Sequence, residues 1–483
     1  MRNIRTLSRV FAAAAILLAA CDTSVTNPGP IPDENLNDPL AYPSLVIGSR
    51  LALARSYGSD AANGGQLAYW GAAVAFEIIP AGSTGSFGIP TVVQTGVLNP
   101  TIADDDWESA NQARFTAEDV LRRFAEVGAR DTLKRARPNQ IAEVALYAGY
   151  SNRALGENFC GAVLPLTNPD GSLSPGDSTP HTDYFLRAEQ HFTNTIAQSL
   201  LATGTDTVRA ATLRTAAYAG RASVRLDLAS WGVTSPGVAT AAAMWDSAAA
   251  DAGRVTSNTF VFQLPYSTQE QTQYNYLYWS SADQPYRAHT QWGTFLEEYY
   301  RASRALAIAN PLTYKADVRA RWDTAGLTGD AAVARFGGRV SWWPQRKHAS
   351  ESAPINLSSG WEMRLVEAER ALVAGDALTA VNTLNLRRTD LSLPTYDNTV
   401  SVDSAWTLLK LERGIELWLE ARRLGDLRRW IVNGVPGNLY DGLYRDSLTA
   451  PLSPTPLETM TAPVARSLCF PIAQSERDTN PNL

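Results

Sequence analysis

From residue 138 to residue 430 the sequence returns to one rhythm: a helical stretch, a turn, and a second helical stretch. Residues 138–158 (PNQIAEVALYAGYSNRALGEN) place apolar side chains at three- and four-residue spacing among many small residues. A Gly/Pro/Ser-rich interval (161–182) parts them from their partner, YFLRAEQHFTNTIAQSLL. A second pair joins 214–231 to 237–255 across Pro236-Gly237, and a third joins 361–375 to 376–388 at Gly375-Asp376. No such pair buries its apolar face alone, so neighbours must stack into a curved array.

The pairs resemble tetratricopeptide units, with alanine and glycine at close-contact positions and aromatics and leucine elsewhere. The expectation is a mainly α chain of about four helix pairs, near 138–200, 214–255, 361–391 and 402–430, within one domain from 44 to 483. Residues 402–430 read as one amphipathic helix, the first member of the last pair, with Leu408, Leu411, Ile415 and Leu419 on its buried stripe. Glu412, Glu416 and Glu420 fall at four-residue steps among arginines. A solvated or ion-paired face explains that pattern better than a pair of catalytic carboxylates, because neighbouring arginines lower a carboxyl pKa where an acid catalyst needs it raised.

The N-terminus sets the compartment. A basic start and an apolar run from Val10 to Ala20 read as a secretory signal too short to span a bilayer as a finished helix. It ends Leu18-Ala19-Ala20-Cys21, similar to a bacterial lipobox, in which Cys21 is lipidated after cleavage. Residues 21–43 then read as a polar, proline-rich tether. Asp22 is a residue that favours inner-membrane retention in some bacteria. A net charge of −6 over 483 residues argues against nucleic acid as a partner.

Ahead of the pairs, 44–57 and 64–79 have helical spacing, and 80–100 reads as an irregular loop. Asp104-Asp105-Asp106 reads as an N-cap with first-turn charge; it lacks the alternating acidic spacing of a calcium loop. The long interval 256–360 breaks the rhythm and reads as a loop-rich inserted face, where function concentrates. It is crowded with aromatics, of which Tyr274, Tyr276, Trp279, Tyr286, Trp342 and Trp343 are candidate ligand contacts, with Trp70 outside it. Flat rings suit the apolar faces of sugars, and Gln273 and Asn275 have amides suited to orienting hydroxyls, although most such aromatics serve as packing. Cys160 and Cys469 read as one disulfide, with two buried thiols as the alternative. No metal motif, cofactor motif or nucleophile motif stands out, so no cofactor, metal or catalytic residue is assigned.

Several segments resemble the RagB/SusD family. They are Glu412-Arg413, Glu416-Leu417, Glu420, Arg423 and Asp426-Leu427-Arg428-Arg429-Trp430; then Glu362-Met363, Leu365, Ala368-Glu369 and Gly375-Asp376; and the tail Phe470-Pro471-Ile472, Glu476 and Asn480-Pro481-Asn482-Leu483. Ala421 stands where that family commonly has glycine; as a better helix former it leaves the expected helix intact. The resemblance implies a non-catalytic lipoprotein anchored to the outer membrane and exposed at the cell surface. It would capture a nutrient, usually a glycan, for a SusC-type TonB-dependent transporter. A secreted helical scaffold that binds a protein and a surface glycosidase are the competing readings.

Overall fold

The computed structural model describes residues 33–58, 66–81, 98–168, 172–282, 287–324, 327–328, 341–440 and 467–483. The lipobox cysteine, Cys21, most of the 80–100 interval and Tyr286 lie outside them. The N-terminal helices are α1 (Tyr42–Gly58), α2 (Leu67–Val74) and α3 (Asp104–Arg130). The array continues with α4 (Pro138–Asn158), α5 (Thr182–Ser199), α6 (Asp206–Ser230) and α7 (Ala241–Ala252). Helices α8 (Tyr276–Ser281) and α9 (Phe295–Ala309) belong to the insertion. The array resumes with α10 (Gly360–Val373), α11 (Ala377–Asp390), α12 (Val402–Glu416) and α13 (Arg423–Val432), and α14 (Gln474–Thr479) ends the chain.

Each helix from α3 to α7 packs on the next, and α10 then packs directly on α7 and α6. The chain between α7 and α10 is thus looped out of a continuous tetratricopeptide-like array. Small residues set the helix spacing. The Phe192 ring lies against Gly149 and Gly220, where an added Cβ would come within 2.7 Å and 2.4 Å of it. Phe185 fills the same kind of notch at Gly156. Among the described residues ten short strands decorate the helices as two-stranded antiparallel pairs. None of the helices among the described residues is long and apolar enough to cross a membrane.

Two expectations need correction. Residues 402–430 form two helices, α12 and α13, and therefore contain both members of the last pair. The break holds Leu419 and Ala421 at φ +59° and +61°. Position 421 is thus a left-handed turn, which explains why glycine suits it; helix propensity is not the relevant criterion there. The buried stripe also differs. Ala405, Trp406, Leu409 and Ile415 are buried, whereas Leu408 and Leu411 are only partly so. Second, no aspartate of the 104–106 triplet caps α3. Asn99 caps the preceding 3-10 turn, Asp104 accepts from Ser475 N at 2.9 Å, and buried Asp106 accepts from Gln66 N at 2.9 Å. Burial raises the Asp106 pKa to about 7.

The glutamates of the signature are ion-paired inside the protein. Glu412 meets Arg319 at 2.7 Å and Arg388 at 2.8 Å. Glu416 meets Arg319 and Arg387, and Glu420 meets Lys347 at 2.7 Å. Beneath them Asp426 bridges Arg413 and Arg429, Arg429 also grips Glu369 on α10, and Arg422 joins Glu157 on α4 to Glu362 on α10. Burial pushes the Asp426 carboxyl up, but Arg413 and Arg429 outweigh it and hold the pKa at about 2.

Two outcomes follow. Ala421→Gly should raise unfolding free energy by about 1 kcal/mol in urea titrations, because glycine relieves the left-handed strain. Asp426→Asn should lower it by about 3–5 kcal/mol at pH 7, by leaving two buried arginines short of a partner. The Asp426 contribution is present above the unfolded pKa of 3.8, so the difference between the proteins should shrink as pH falls from about 4 toward 2.

Candidate functional site

The looped-out segment is clamped at its base by an antiparallel ribbon, Val261–Leu264 against Ile355–Ser359. Tyr150 and Arg153 on α4 secure that ribbon: the Tyr150 hydroxyl lies 3.1 Å from Ser358 Oγ, and Arg153 Nη2 donates to Leu357 O at 2.7 Å. Farther out, Ile79–Pro80 pairs with His289–Thr290, and Gln291 N donates to Trp343 O at 3.0 Å. The α2 segment and the insertion therefore share one framework. Its last fixings are Arg319 and Lys347, held by the signature glutamates from below.

On this framework Trp343 lies flat against Trp322, with ring centres 4.5 Å apart and planes 9° from parallel. Tyr300 meets the edge of Trp322 at 5.5 Å. The Arg301 guanidinium is 5.2 Å from the Trp343 ring centre and 6.0 Å from that of Trp322. Such near-equal distances put the cation beside the stack. Trp322 is buried and Trp343 is partly exposed. A second aromatic group forms at α8, where Trp279 lies 5.6 Å from Tyr274 and 6.3 Å from Tyr276, and its Nε1 donates to Glu351 at 3.1 Å. The two groups are linked by Gln345 N, which donates to Ser281 O at 3.1 Å.

Of the candidate contacts, Trp343, Tyr274 and Trp279 keep exposed surface. Trp342 is 2% exposed, with Nε1 donating to His289 O at 3.2 Å, and Trp70 and Tyr276 are buried as well. These three are walls of the core: strand alternation turns Trp342 inward, Trp70 packs within α2, and Tyr276 is buried at the first turn of α8. Asn275 is structural: its Oδ1 caps α8 at Leu277 N, and its Nδ2 donates to Ala353 O at 2.7 Å. Trp322 and Arg301 are contributors that sequence reasoning missed; Trp322 stands apart from the aromatic runs and gives no local signal.

Gln291 and His289 sit under the framework with no exposed surface. Neither amide atom of Gln291, nor His289 Nε2, has a hydrogen-bond partner among the described residues. Tyr69 OH lies 2.9 Å from His289 Nδ1, and burial lowers the His289 pKa to about 3, so that ring is neutral. Cys160 and Cys469 are disulfide-bonded, with Cα atoms 5.1 Å apart. The bridge fixes the tail beside the end of α4, where Phe470 N donates to Asn158 O at 2.7 Å. Among the described residues no group of three or more His, Cys, Asp or Glu side chains is placed to hold a metal ion.

Residues 254–483 match the family model described as the SusD family. No curated protein matches the chain in sequence. Solved structures share its fold along most of its length. A SusD superfamily protein from Parabacteroides distasonis superposes with a TM-score of 0.61 at 14% identity, over 92% of this chain and 98% of its own. A SusD homolog from Bacteroides thetaiotaomicron gives 0.60 at 12% identity, over 93% and 96%. A laminarin-binding SusD-like protein gives 0.56 at 14%, over 83% and 95%. At such identities the likeness is one of fold, and the family model supplies the sequence link over the insertion, the third helix pair, the signature and the tail. Over residues 254–483 the chain carries the sequence of the SusD/RagB family, and along most of its length it has the fold of solved SusD superfamily structures.

Proposed function

We propose that this chain is a non-catalytic lipoprotein of the outer membrane, anchored through Cys21 and facing the cell exterior. It captures a nutrient, an oligosaccharide by preference, and passes it as a lid to a SusC-type TonB-dependent transporter. The observation that carries the ligand class is the partly exposed Trp343, backed by Trp322 and flanked by Arg301. A flat ring braced from behind offers the apolar C–H face of a pyranose a rigid surface, and the neighbouring guanidinium donates to hydroxyls. Tyr274 and Trp279, in contact with each other and partly exposed, are a second aromatic pair offered to the ligand. A laminarin-binding relative in fold makes β-glucan the first ligand to try.

The carboxylates support binding over hydrolysis. Glu412, Glu416 and Glu420 are engaged by Arg319, Arg387, Arg388 and Lys347. A glycosidase needs two carboxyl groups flanking an open cleft. The energy for import would come from the transporter, with this chain supplying capture and gating.

In titration calorimetry against a glycan panel led by laminarin oligosaccharides, Trp343→Ala should weaken binding at least ten-fold, about 1.4 kcal/mol, and leave the melting temperature close to wild type. Trp342→Ala should do the reverse, costing about 3–5 kcal/mol of stability through a core cavity. Equal glycan binding by Trp343→Ala and wild type would remove this face from the site. Affinity purification from detergent-solubilised outer membranes should bring down a barrel of TonB-dependent-transporter size in equal amount; a protein recovered alone would overturn the lid role.

A further inference from the structure

One end of the helical array carries a surface that neither the glycan face nor the fold requires. It gathers the C-terminus of α3, the linker 131–137, the start of α4, the end of α5 and the start of α6. Asn139 Nδ2 donates to Asp206 O at 2.8 Å across the two helix starts, and Tyr42 OH donates to Lys134 O at 3.0 Å. Leu201, Arg135, Ala136 and Gly128 line one open groove of about 550 Å³ between these elements. Large apolar side chains project from this end into solvent. Leu133 is 94% exposed, Leu40 89%, Leu200 65% and Leu201 61%.

Charge accompanies the leucines. The stretch Arg130-Asp131-Thr132-Leu133-Lys134-Arg135-Ala136-Arg137 is basic within an acidic chain. Lys134, Arg135 and Arg137 are exposed and form no ion pair among the described residues. Leucine set among arginine and lysine at a surface is the composition of an interfacial membrane contact, where apolar tips enter the acyl boundary and cations meet anionic headgroups.

The path of the N-terminus points the same way. Asp33 is tied to Arg123 of α3 at 2.6 Å, two turns before that helix ends. Residues 22–32 reach at most about 40 Å even when fully extended. A lipid on Cys21 would therefore hold Asp33, and α3 with it, within about 40 Å of the bilayer.

We propose that this end of the array is a membrane-contact surface, with Leu133, Leu200 and Leu201 entering an anionic lipid surface and Lys134, Arg135 and Arg137 binding its headgroups. Its orientation rests on the reading that Cys21 is lipidated; the surface chemistry does not. Together, anchor and patch make two weak attachments act as one, limiting how far the body swings from the membrane.

The test uses the chain from Asp22, which lacks lipid and keeps every described residue, in flotation with liposomes. It should float with liposomes of phosphatidylethanolamine and phosphatidylglycerol at low salt, and at least ten-fold less with phosphatidylcholine alone or at high salt. The triple variant Leu133→Ser, Leu200→Ser, Leu201→Ser should lose flotation at least ten-fold at an unchanged melting temperature, and so should Lys134→Glu with Arg135→Glu. Wild-type protein left at the bottom of the anionic gradient would overturn the proposal, as would a triple variant that floats like wild type. A wild-type dimer that the triple variant turns into a monomer would assign the patch to a second copy and overturn it too. Acylation of Cys21 is read separately by labelled palmitate in cells, so failure of the lipoprotein reading and failure of this one are distinguishable.

Discussion

The buried arginine–carboxylate lattice at the end of the array is the interaction on which the rest of the structure depends. Arg422, at the start of α13, and Arg429 within it reach Glu362 and Glu369 on α10, Arg422 also reaches Glu157 on α4, and Asp426 closes the lattice through Arg413 on α12. One short helix thus ties α4 to α10 and α12, elements far apart in sequence. Arginine suits the task because its planar fork meets carboxylates with two parallel hydrogen bonds, as Arg413 does with Asp426 at 2.9 Å and 3.0 Å. Burying such charges yields little net stability over an apolar core. Removing any one partner is costly, so the lattice works mainly by penalising every other arrangement of these helices.

The same signature also holds the face on which the ligand site is proposed. Glu412 and Glu416 point to Arg319, and Glu420 to Lys347 and Asn356. All three partners lie in the looped-out segment. The array is therefore a rigid base on which a long irregular segment is fixed at a few charged points, while Trp343 and its neighbours lie between those points. A pocket built this way can be rebuilt by changing aromatics without disturbing the base.

Much of the architecture was legible because helical periodicity and turn residues are local. The breaks at Pro236-Gly237 and Gly375-Asp376 appear where they were read, with Gly237 and Gly375 at positive φ. The division of 402–430 was not legible. Leu419 and Ala421 are ordinary helix formers, and only the packing of α13 onto α2 and α4 forces them into left-handed turns. Periodicity likewise showed carboxylates beside arginines without showing that both were buried, since burial depends on elements far away in sequence.

The sequence by itself determined the helical class, the order of the pairs and the place of the aromatic-rich insertion. These follow from the spacing of apolar residues and from composition, which act over a few residues at a time. Tertiary structure decided which aromatics face outward. Trp342 and Trp343 are adjacent in sequence, yet one is sealed against His289 and the other is braced and partly open. It also decided that the basic stretch 130–137 and Leu200–Leu201 share one end of the molecule. Both outcomes depend on contacts between segments tens to hundreds of residues apart, which no local pattern records.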